Sequence, residues 1–234
     1  MKLPFSPSAD RNKEAIGDAL GVWLDAAGDV FEFGSGTGQH AVYLCQRFPH
    51  LRWQPTELKS NLELISLQIQ HARVSNILEP IECDVLDPKL FNEGLEKRLT
   101  NHPAQRSNAA SNENATSGSS AVDGRYHKYS FAYSANTAHI MSIEAVERMI
   151  SMAAAILQPT GFFALYGPFK YGSQHTAEGN NQFDSMLREQ DASMGVRDKF
   201  ELDRMAIENG LAPVDDLEMP ANNRILIWQN TGQS

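Results

Sequence analysis

The sequence has few cysteines and no long hydrophobic run. Only Cys45 and Cys83 occur among its 234 residues, too few for a disulfide framework, and their spacing is not that of a metal-binding knuckle. No apolar stretch approaches the roughly 18 residues of a membrane span, and the first residues lack the apolar core of a signal peptide. We therefore expect a cytoplasmic protein with free thiols, no metal site and no membrane association.

Clusters of basic residues are also absent from the sequence. The chain carries 20 Lys and Arg residues against 29 Asp and Glu residues, a formal net charge of -9. A field of this sign repels phosphate backbones and anionic lipids, so a nucleic-acid partner would need a local basic patch. Because the sequence shows no such patch, we expect no nucleic-acid partner.

Length and composition favour one domain over residues 1–234. Hydrophobic residues make up 41% of the chain, enough for one α/β domain with a sizeable core. A stretch at about residues 100–125 consists mainly of Ser, Asn, Ala and Gly. Such a composition cannot offset its ordering entropy by burial. We predict a flexible insertion rather than a linker, because neither side alone could complete a sheet.

Helix and strand patterns alternate along the chain, as they do in a parallel doubly wound sheet. Strands are predicted at residues 30–33, 51–54, 77–83, 129–134, 162–166, 214–218 and 224–229. Helices are predicted at residues 12–24, 39–48 and 199–209. Two more helices are predicted, one that begins after a capping box formed by Ser60 and Glu63 and one that runs from Ser142 to a stop at Pro159-Thr160-Gly161.

The turn Gly34-Ser35-Gly36-Thr37-Gly38 lies between the first predicted strand and the helix after it. Glycines bring backbone N–H groups close to a ligand, and the positive end of the helix dipole favours an anionic group. Tight turns and close helix packing also select glycine, so the turn alone is a weak signal. Gln39 stands where a dinucleotide fingerprint has its last glycine, which disfavours a nucleotide-dependent oxidoreductase.

Two acidic residues follow the next two predicted strands. Glu57 lies 19 residues beyond Gly38, and Asp84 follows Cys83. A carboxylate in the first position can accept both hydroxyl hydrogens of a ribose, and the second could accept from an adenine amino group. Alone, Glu57 could be a solvated residue and Asp84 a turn cap. Together with the glycine turn they converge on one crevice, which favours an adenosyl ligand.

Residues 32–38, Glu57 and Asp84 resemble the motifs of the class I S-adenosylmethionine-dependent methyltransferases. A closer resemblance, to an uncharacterised methyltransferase-like family within that class, is carried by residues 6–13, 36–40, 53–55, 166–169 and 219–223. It implies an α/β fold with a Rossmann-like doubly wound sheet. The sheet would have seven strands, mostly parallel with an antiparallel last strand, and helices on both faces.

The resemblance also implies S-adenosylmethionine as the cofactor. Asn12 belongs to an N-terminal segment that can cover the cofactor in this fold. Its neighbours Arg11 and Lys13 could pair with the methionine carboxylate or be solvated charges at a helix start. The cofactor-binding residues expected from the sequence are Glu32, Gly34, Ser35, Gly36, Thr37, Gly38, Glu57, Asp84 and Asn12.

Candidate catalytic residues follow the fourth predicted strand. Asn136 could orient an acceptor amine or hydroxyl, and His139 could take a proton near neutral pH. Both could instead hydrogen-bond the loop before Ser142. His40 could face the same crevice or simply pack, and residues 166–169 and 180–184 could wall an acceptor pocket.

We therefore expect an S-adenosylmethionine-dependent methyltransferase with an unknown acceptor, a small molecule being favoured over a protein side chain. The segment after the fourth strand lacks the Asn-Pro-Pro-aromatic tetrad of methyltransferases that modify planar amines. The weak acceptor-side signal leaves one alternative, a catalytically silent module that binds the cofactor and serves as an interaction surface.

Overall fold

The computed structural model describes residues 3–87, 89, 90, 93 and 129–232. The predicted insertion at about 100–125 lies outside these residues, and the single domain over 1–234 stays a prediction. Across the described ranges, no helix combines the length and apolarity needed to cross a membrane.

Helices and strands alternate through most of the chain. The helices are α1 (Pro7–Leu24), α2 (Gln39–Arg47), α3 (Leu62–Ala72), α4 (Ile143–Ile156), α5 (Glu178–Gln190) and α6 (Lys199–Glu208). The strands are β1 (Asp29–Phe33), β2 (Arg52–Glu57), β3 (Ile81–Glu82), β4 (Tyr129–Ala135), β5 (Leu157–Gly167), β6 (Phe169–Tyr171), β7 (Gln174–His175), β8 (Arg197–Asp198), β9 (Leu211–Met219) and β10 (Asn223–Asn230).

Seven strands form the main sheet, in the order β3-β2-β1-β4-β5-β10-β9. Strand β10 is antiparallel to both its neighbours, β5 and β9, whereas the other neighbouring pairs are parallel. The predicted Rossmann-like, mostly parallel sheet with an antiparallel last strand is therefore confirmed. A small second sheet, in the order β7-β6-β8, follows β5.

Two hydrophobic cores cover the two faces of the main sheet. Neighbouring residues of a strand point to opposite faces, so Val30 packs with Leu20 of α1 and Leu44 of α2, while Phe31 packs with Met149 of α4. This alternation of large apolar side chains explains why helices lie on both faces.

Strand β2 is longer than predicted and passes through Pro55. The prediction ended the strand before this residue because proline cannot donate to a ladder. On the β3 side, Trp53 N donates to the Asn76 carbonyl oxygen, and Cys83 N donates to that of Glu57. Between them, the Gln54 amide donates to the carbonyl oxygens of Pro55 and Glu79. A side chain therefore bridges the ladder where proline has no N–H.

Other predicted boundaries were also wrong. The first helix begins at Pro7 rather than at about residue 12, because Ser6 caps it and proline suits a first helical position. Strand β3 covers only two residues. The capping box does not form, since Ser60 lies in a 3-10 turn and Asn61 precedes α3. Helix α4 ends at Ile156, and residues 159–161 already belong to β5.

Helix α5 and the small sheet were not predicted. The buried residues of α5 are Asn180, Asp184 and Leu187. Two of these three are polar, so the apolar periodicity by which a helix is recognised is missing from this segment.

Tyr133 carries one of the buried side-chain polar atoms that have no hydrogen-bond partner among the described residues. The Tyr133 side chain in β4 is fully buried, and its hydroxyl makes no hydrogen bond with any described residue. A buried hydroxyl that lost its bonds to water on folding lowers the free energy of unfolding.

We expect Tyr133→Phe to raise the free energy of unfolding by about 1 kcal/mol, because it removes this unsatisfied group. Urea unfolding followed by circular dichroism measures the change. The matched control is Tyr171→Phe, which removes a hydroxyl that donates to Asp216 at 2.9 Å and should lower stability. Destabilisation by both variants would contradict the account of Tyr133.

Candidate functional site

The carboxyl ends of β1, β2, β3 and β4 meet at one edge of the main sheet, where the glycine turn follows β1. All three glycines have left-handed backbone angles, with φ of 66° at Gly34, 56° at Gly36 and 76° at Gly38. This region is strained for residues with a side chain. The left-handed conformation therefore favours glycine at all three positions.

The surroundings of the three glycines differ. A Cβ atom added at Gly34 would lie 2.6 Å from Thr137 Cγ2, and one at Gly38 would lie 3.2 Å from Ile65 Cγ2. At Gly36 no described atom would lie within 4 Å. Gly34 and Gly38 thus allow close packing, whereas Gly36 presents its backbone to open space.

The turn is held rigidly against β2. Ser35 N donates to the Thr56 carbonyl oxygen at 2.9 Å, and Thr56 N donates to Ser35 Oγ at 3.1 Å. Gly38, the residue preceding α2, gives no side-chain cap to the first turn of that helix. The uncapped N–H groups and the helix dipole make this helix start suitable for an anionic group.

Glu57 lies at the end of β2 directly against the glycine turn. Its Oε1 accepts from Gly36 N at 3.3 Å, and its Oε2 accepts from Leu58 N at 2.5 Å. The carboxylate is half-buried. The structure therefore brings together Gly36 and Glu57, two of the residues that the sequence analysis linked to an adenosyl ligand.

Asp84 follows β3 on the same edge. Cys83 N donates to the Glu57 carbonyl oxygen at 2.9 Å, which joins this segment to the end of β2. The Oδ1 atom of Asp84 accepts from Leu86 N at 2.9 Å, so the residue does cap a turn. Its contact with an adenine stays a prediction.

Glu32 lies inside the protein, beneath the turn. Its side chain is buried, and Oε2 accepts from the Trp53 indole N–H at 2.9 Å. Burial raises the pKa of the carboxyl to about 7, although hydrogen bonds from Ser35 and Trp53 act in the opposite direction. Glu32 therefore supports the turn from inside the protein, and its contact with a cofactor stays a prediction.

The N-terminal segment packs over the start of α2. His40 Nε2 and Asn12 Oδ1 are 2.8 Å apart, and the Thr37 hydroxyl donates to Gln39 Oε1 at 2.9 Å. Burial, with Lys13 nearby, lowers the pKa of His40 to about 4. Arg11 is exposed, and Lys13 forms an ion pair with Asp10. His40 thus bonds Asn12, and the Lys13 charge is already partnered.

The loop after β4 carries both candidate catalytic residues. Asn136 has a left-handed backbone with φ of 59°, and its N–H donates to the Tyr166 carbonyl oxygen. The His139 ring is buried, with its centroid 5.2 Å from that of Phe183. Burial, then the Arg197 charge, lowers the pKa of His139 to about 4. Within the described residues, neither side chain hydrogen-bonds the loop.

Arg197 is a residue of the site that the sequence analysis missed. From β8 its buried guanidinium donates to the carbonyl oxygens of Ala138 at 2.9 Å, Ser193 at 2.8 Å and Met141. Gly195 N donates to the His139 carbonyl oxygen. The small sheet thus holds the loop after β4. No local signal could reveal this, because about sixty residues separate the partners.

Of the residues that the structure describes, no group of three or more His, Cys, Asp or Glu residues could hold a metal ion. A family model described as "Protein of unknown function (DUF938)" matches residues 3–230. The chain therefore belongs to this family.

Several solved structures have the same fold. An O-methyltransferase family protein from Burkholderia thailandensis superposes with a TM-score of 0.66 and 15% identity, over 95% of this chain and 60% of that one. Human N-acetylserotonin methyltransferase in complex with S-adenosylmethionine gives 0.67 and 8%, over 95% and 52%. An O-methyltransferase family 2 protein from Planctomyces limnophilus, in complex with apigenin, gives 0.62 and 12%, over 93% and 61%.

The chain thus spans between about half and three-fifths of the length of these structures. Its fold is that of the class I S-adenosylmethionine-dependent methyltransferases, as the resemblance in the sequence implied. At these identities the likeness establishes the fold.

The buried Glu32 should make stability depend on pH. A pKa raised from 4.5 to about 7 means that the folded state binds this proton more tightly than the unfolded state. The stabilisation that binding of this proton gives the folded state is complete below pH 4.5 and is lost as the pH rises through about 7.

We expect Glu32→Gln, which is neutral at every pH, to gain up to about 3 kcal/mol in free energy of unfolding relative to wild type between about pH 5 and about pH 8. Urea titrations across this range measure the difference. Glu63→Gln, at an exposed position of α3, is the control and should differ from wild type by a constant amount. If the difference in free energy of unfolding between Glu32→Gln and wild type were also independent of pH, burial would not raise the pKa of the Glu32 carboxyl.

Proposed function

We propose that this member of the DUF938 family is an S-adenosylmethionine-dependent methyltransferase that acts on a small molecule. The observation that carries the proposal is the Glu57 carboxylate, 3.3 Å from the backbone N–H of Gly36 in the glycine turn. Fold likeness alone leaves the function open, since one fold hosts many functions.

The residues at this edge fit an adenosyl group. A half-buried carboxylate can accept from both hydroxyl groups of a ribose, and Glu57 is fixed by two backbone N–H donors. Gly36 gives open space where a side chain would obstruct a ligand. The three-glycine turn, with Gln39 in place of a further glycine, fits S-adenosylmethionine better than a dinucleotide.

When bound, S-adenosylmethionine supplies an electrophilic methyl group for an in-line displacement. Positioning then accounts for much of the catalysis. Asn136 directly follows β4, in a loop whose Thr137 lies against Gly34 of the glycine turn. The Ser134 and Thr137 hydroxyls, 2.6 Å apart, fix this loop. Its amide can orient an acceptor amine or hydroxyl.

His139 gives the acceptor side a neutral imidazole. With a pKa of about 4, the ring is uncharged at neutral pH and can accept a hydrogen bond from an acceptor hydroxyl. Because it is a weak base, we propose that His139 orients the acceptor and receives a proton only late in the reaction.

The enclosure of His139 supports a small acceptor over a protein side chain. Only 8% of the residue is exposed, and Phe183 and Gly167 lie against its ring. A compact ligand can enter such a place more easily than a side chain attached to a folded protein. The apigenin complex of the Planctomyces limnophilus protein shows that this fold accommodates a small molecule.

We expect calorimetric titration of S-adenosylhomocysteine into wild-type protein to show binding, and Glu57→Ala to weaken it about ten- to hundredfold, because the ribose hydroxyls lose a charged acceptor. The exposed Glu63→Ala is the matched control. Titration with NAD and NADP tests the oxidoreductase alternative. No binding of S-adenosylhomocysteine by wild type would refute the proposal.

We expect Asn136→Ala and His139→Gln to lower turnover about tenfold or more while leaving the affinity for S-adenosylhomocysteine within about twofold. The measurement is transfer of labelled methyl from S-adenosylmethionine to a panel of small hydroxyl and amine compounds. His50→Gln is the control, because His50 precedes β2 at the end opposite Glu57 and its ring contacts the Leu24 carbonyl oxygen. Cofactor binding without transfer to any acceptor would instead favour the silent interaction module.

A further inference from the structure

Asn180, in the first turn of α5, is a buried amide whose orientation is fixed by its neighbours. Its Nδ2 donates to the carbonyl oxygen of Asn222 at 3.0 Å and to the hydroxyl oxygen of Thr176 at 2.9 Å. A carbonyl oxygen can only accept, so the atom that faces Asn222 must be the amide nitrogen. Both amide hydrogens are then used, and the amide cannot turn over without losing the bond to Asn222.

The amide oxygen of Asn180 has no partner. No described residue donates to Oδ1, and this atom is not one of the fully buried side-chain atoms that lack a hydrogen bond. The residue as a whole is only 8% exposed, so the small part that solvent can reach includes the amide oxygen. Asn180 therefore presents one fixed oxygen that accepts, and no free donor, to the space that it borders.

Two routes of contact join Asn180 to His139, the residue proposed above to orient the methyl acceptor. The first route runs along α5. Residues three apart on a helix are neighbours, so Phe183 lies next to Asn180. The centroid of the Phe183 ring is 5.2 Å from that of the His139 ring. Along this route a single aromatic side chain separates the Asn180 amide from the His139 imidazole.

The second route runs through the turn between β9 and β10. Asn222, whose carbonyl oxygen accepts from the Asn180 amide, lies in this turn. Strand β10 begins directly after it and pairs with β5, of which Gly167 is the last residue. A Cβ atom added at Gly167 would lie 3.7 Å from His139 Nδ1. The two routes therefore form a ring of contacts around the end of β5, and Asn180 and His139 both belong to it.

A fixed oxygen that only accepts selects the chemistry of the group placed against it. A hydroxyl or an N–H group can donate to this oxygen, whereas an ether oxygen or a carboxylate cannot. A ligand that leaves a buried polar group unpaired loses binding free energy, and sites built to hydrogen-bond a ligand therefore discriminate strongly against analogues that lack the donor. The free oxygen of Asn180 thus favours methyl acceptors that carry a hydrogen-bond donor.

We propose that Asn180 is a specificity-determining residue whose side-chain oxygen accepts a hydrogen bond from a second donor group of the methyl acceptor, while His139 faces the group that is methylated. The substrate class is then a small molecule with two separated hydrogen-bond donors and no anionic group at the second position. This inference rests on the proposed function. It goes beyond the sequence expectation, in which residues 180–184 only wall an acceptor pocket.

The test measures binding to the complex with S-adenosylhomocysteine, so that no turnover is required. Three probes share a naphthol ring system. The compound 2,6-naphthalenediol has a second donor, 6-methoxy-2-naphthol has an ether in its place, and 6-hydroxy-2-naphthoic acid has a carboxylate there. By calorimetry, we expect wild-type protein saturated with S-adenosylhomocysteine to bind the diol about tenfold more tightly than either of the other two probes, because only the diol can donate to Asn180.

Substitution of Asn180 should remove this preference. In Asn180→Leu the affinity for the diol should fall about tenfold, to within about twofold of the affinity for the methoxy compound, because the accepting oxygen is gone. The affinity for S-adenosylhomocysteine should stay within about twofold of wild type, which also shows that the variant is folded. Thr176→Val is the matched control, because it removes one partner of the same amide and keeps Oδ1. It should retain the wild-type preference.

The outcomes distinguish the two proposals. Wild-type protein that binds the diol no more tightly than the methoxy compound, or that binds none of the probes, would overturn the role of Asn180 and leave the cofactor site intact. This comparison needs no variant and decides the question even where Asn180→Leu fails to fold. Equal losses for all probes in Asn180→Leu, or a preference that survives the substitution, would also overturn it. Wild-type protein that does not bind S-adenosylhomocysteine would refute the proposed function itself.

Discussion

The arrangement of the candidate site depends on the hydrogen bonds of the buried Glu32 carboxyl. It accepts a hydrogen bond from the Trp53 indole in β2, and Ser35 in the glycine turn bonds the same group. Ser35 in turn accepts from Thr56 N, so β1, β2 and the turn are fastened at one point. Burial opposes ionisation of this carboxyl, so keeping it inside the protein lowers the free energy of unfolding. The protein nevertheless has this group where a turn of three left-handed glycines needs a fixed support.

The two halves of the candidate site are held by different means. The half that we propose for the cofactor is fixed by contacts between the glycine turn and the neighbouring strand β2, such as that of Gly36 with Glu57. The acceptor half is fixed at long range, because Arg197 of the small sheet holds the carbonyl groups of Ala138 and Met141 beside His139. Changes in the small sheet could therefore reshape the acceptor half while the glycine turn keeps its geometry.

This difference explains which parts of the fold and of the candidate site could be predicted from the sequence. The alternation of helices and strands along the chain, the glycine turn and the position of Glu57 were predictable, because each depends on a local pattern or on the common geometry of parallel strands. Helix α5 was missed because polar Asn180 and Asp184 occupy its buried positions. The predicted second strand ended before Pro55, because the sequence does not reveal that the Gln54 side chain bridges the ladder there. The role of Arg197 depends on a partner about sixty residues away.

The same reasoning applies to the charges that the sequence suggested for the cofactor. The resemblance drew attention to Arg11 and Lys13, because a basic group in the N-terminal segment could pair with the methionine carboxylate. In the structure Lys13 is neutralised by Asp10, and the groups that reach the start of α2 are a histidine with a pKa of about 4 and an amide. Neutral donors lose less solvation free energy on burial than a cation does. In a protein with a net charge of -9, the start of α2 is thus surrounded by neutral groups and by the helix dipole rather than by the charge of Lys13.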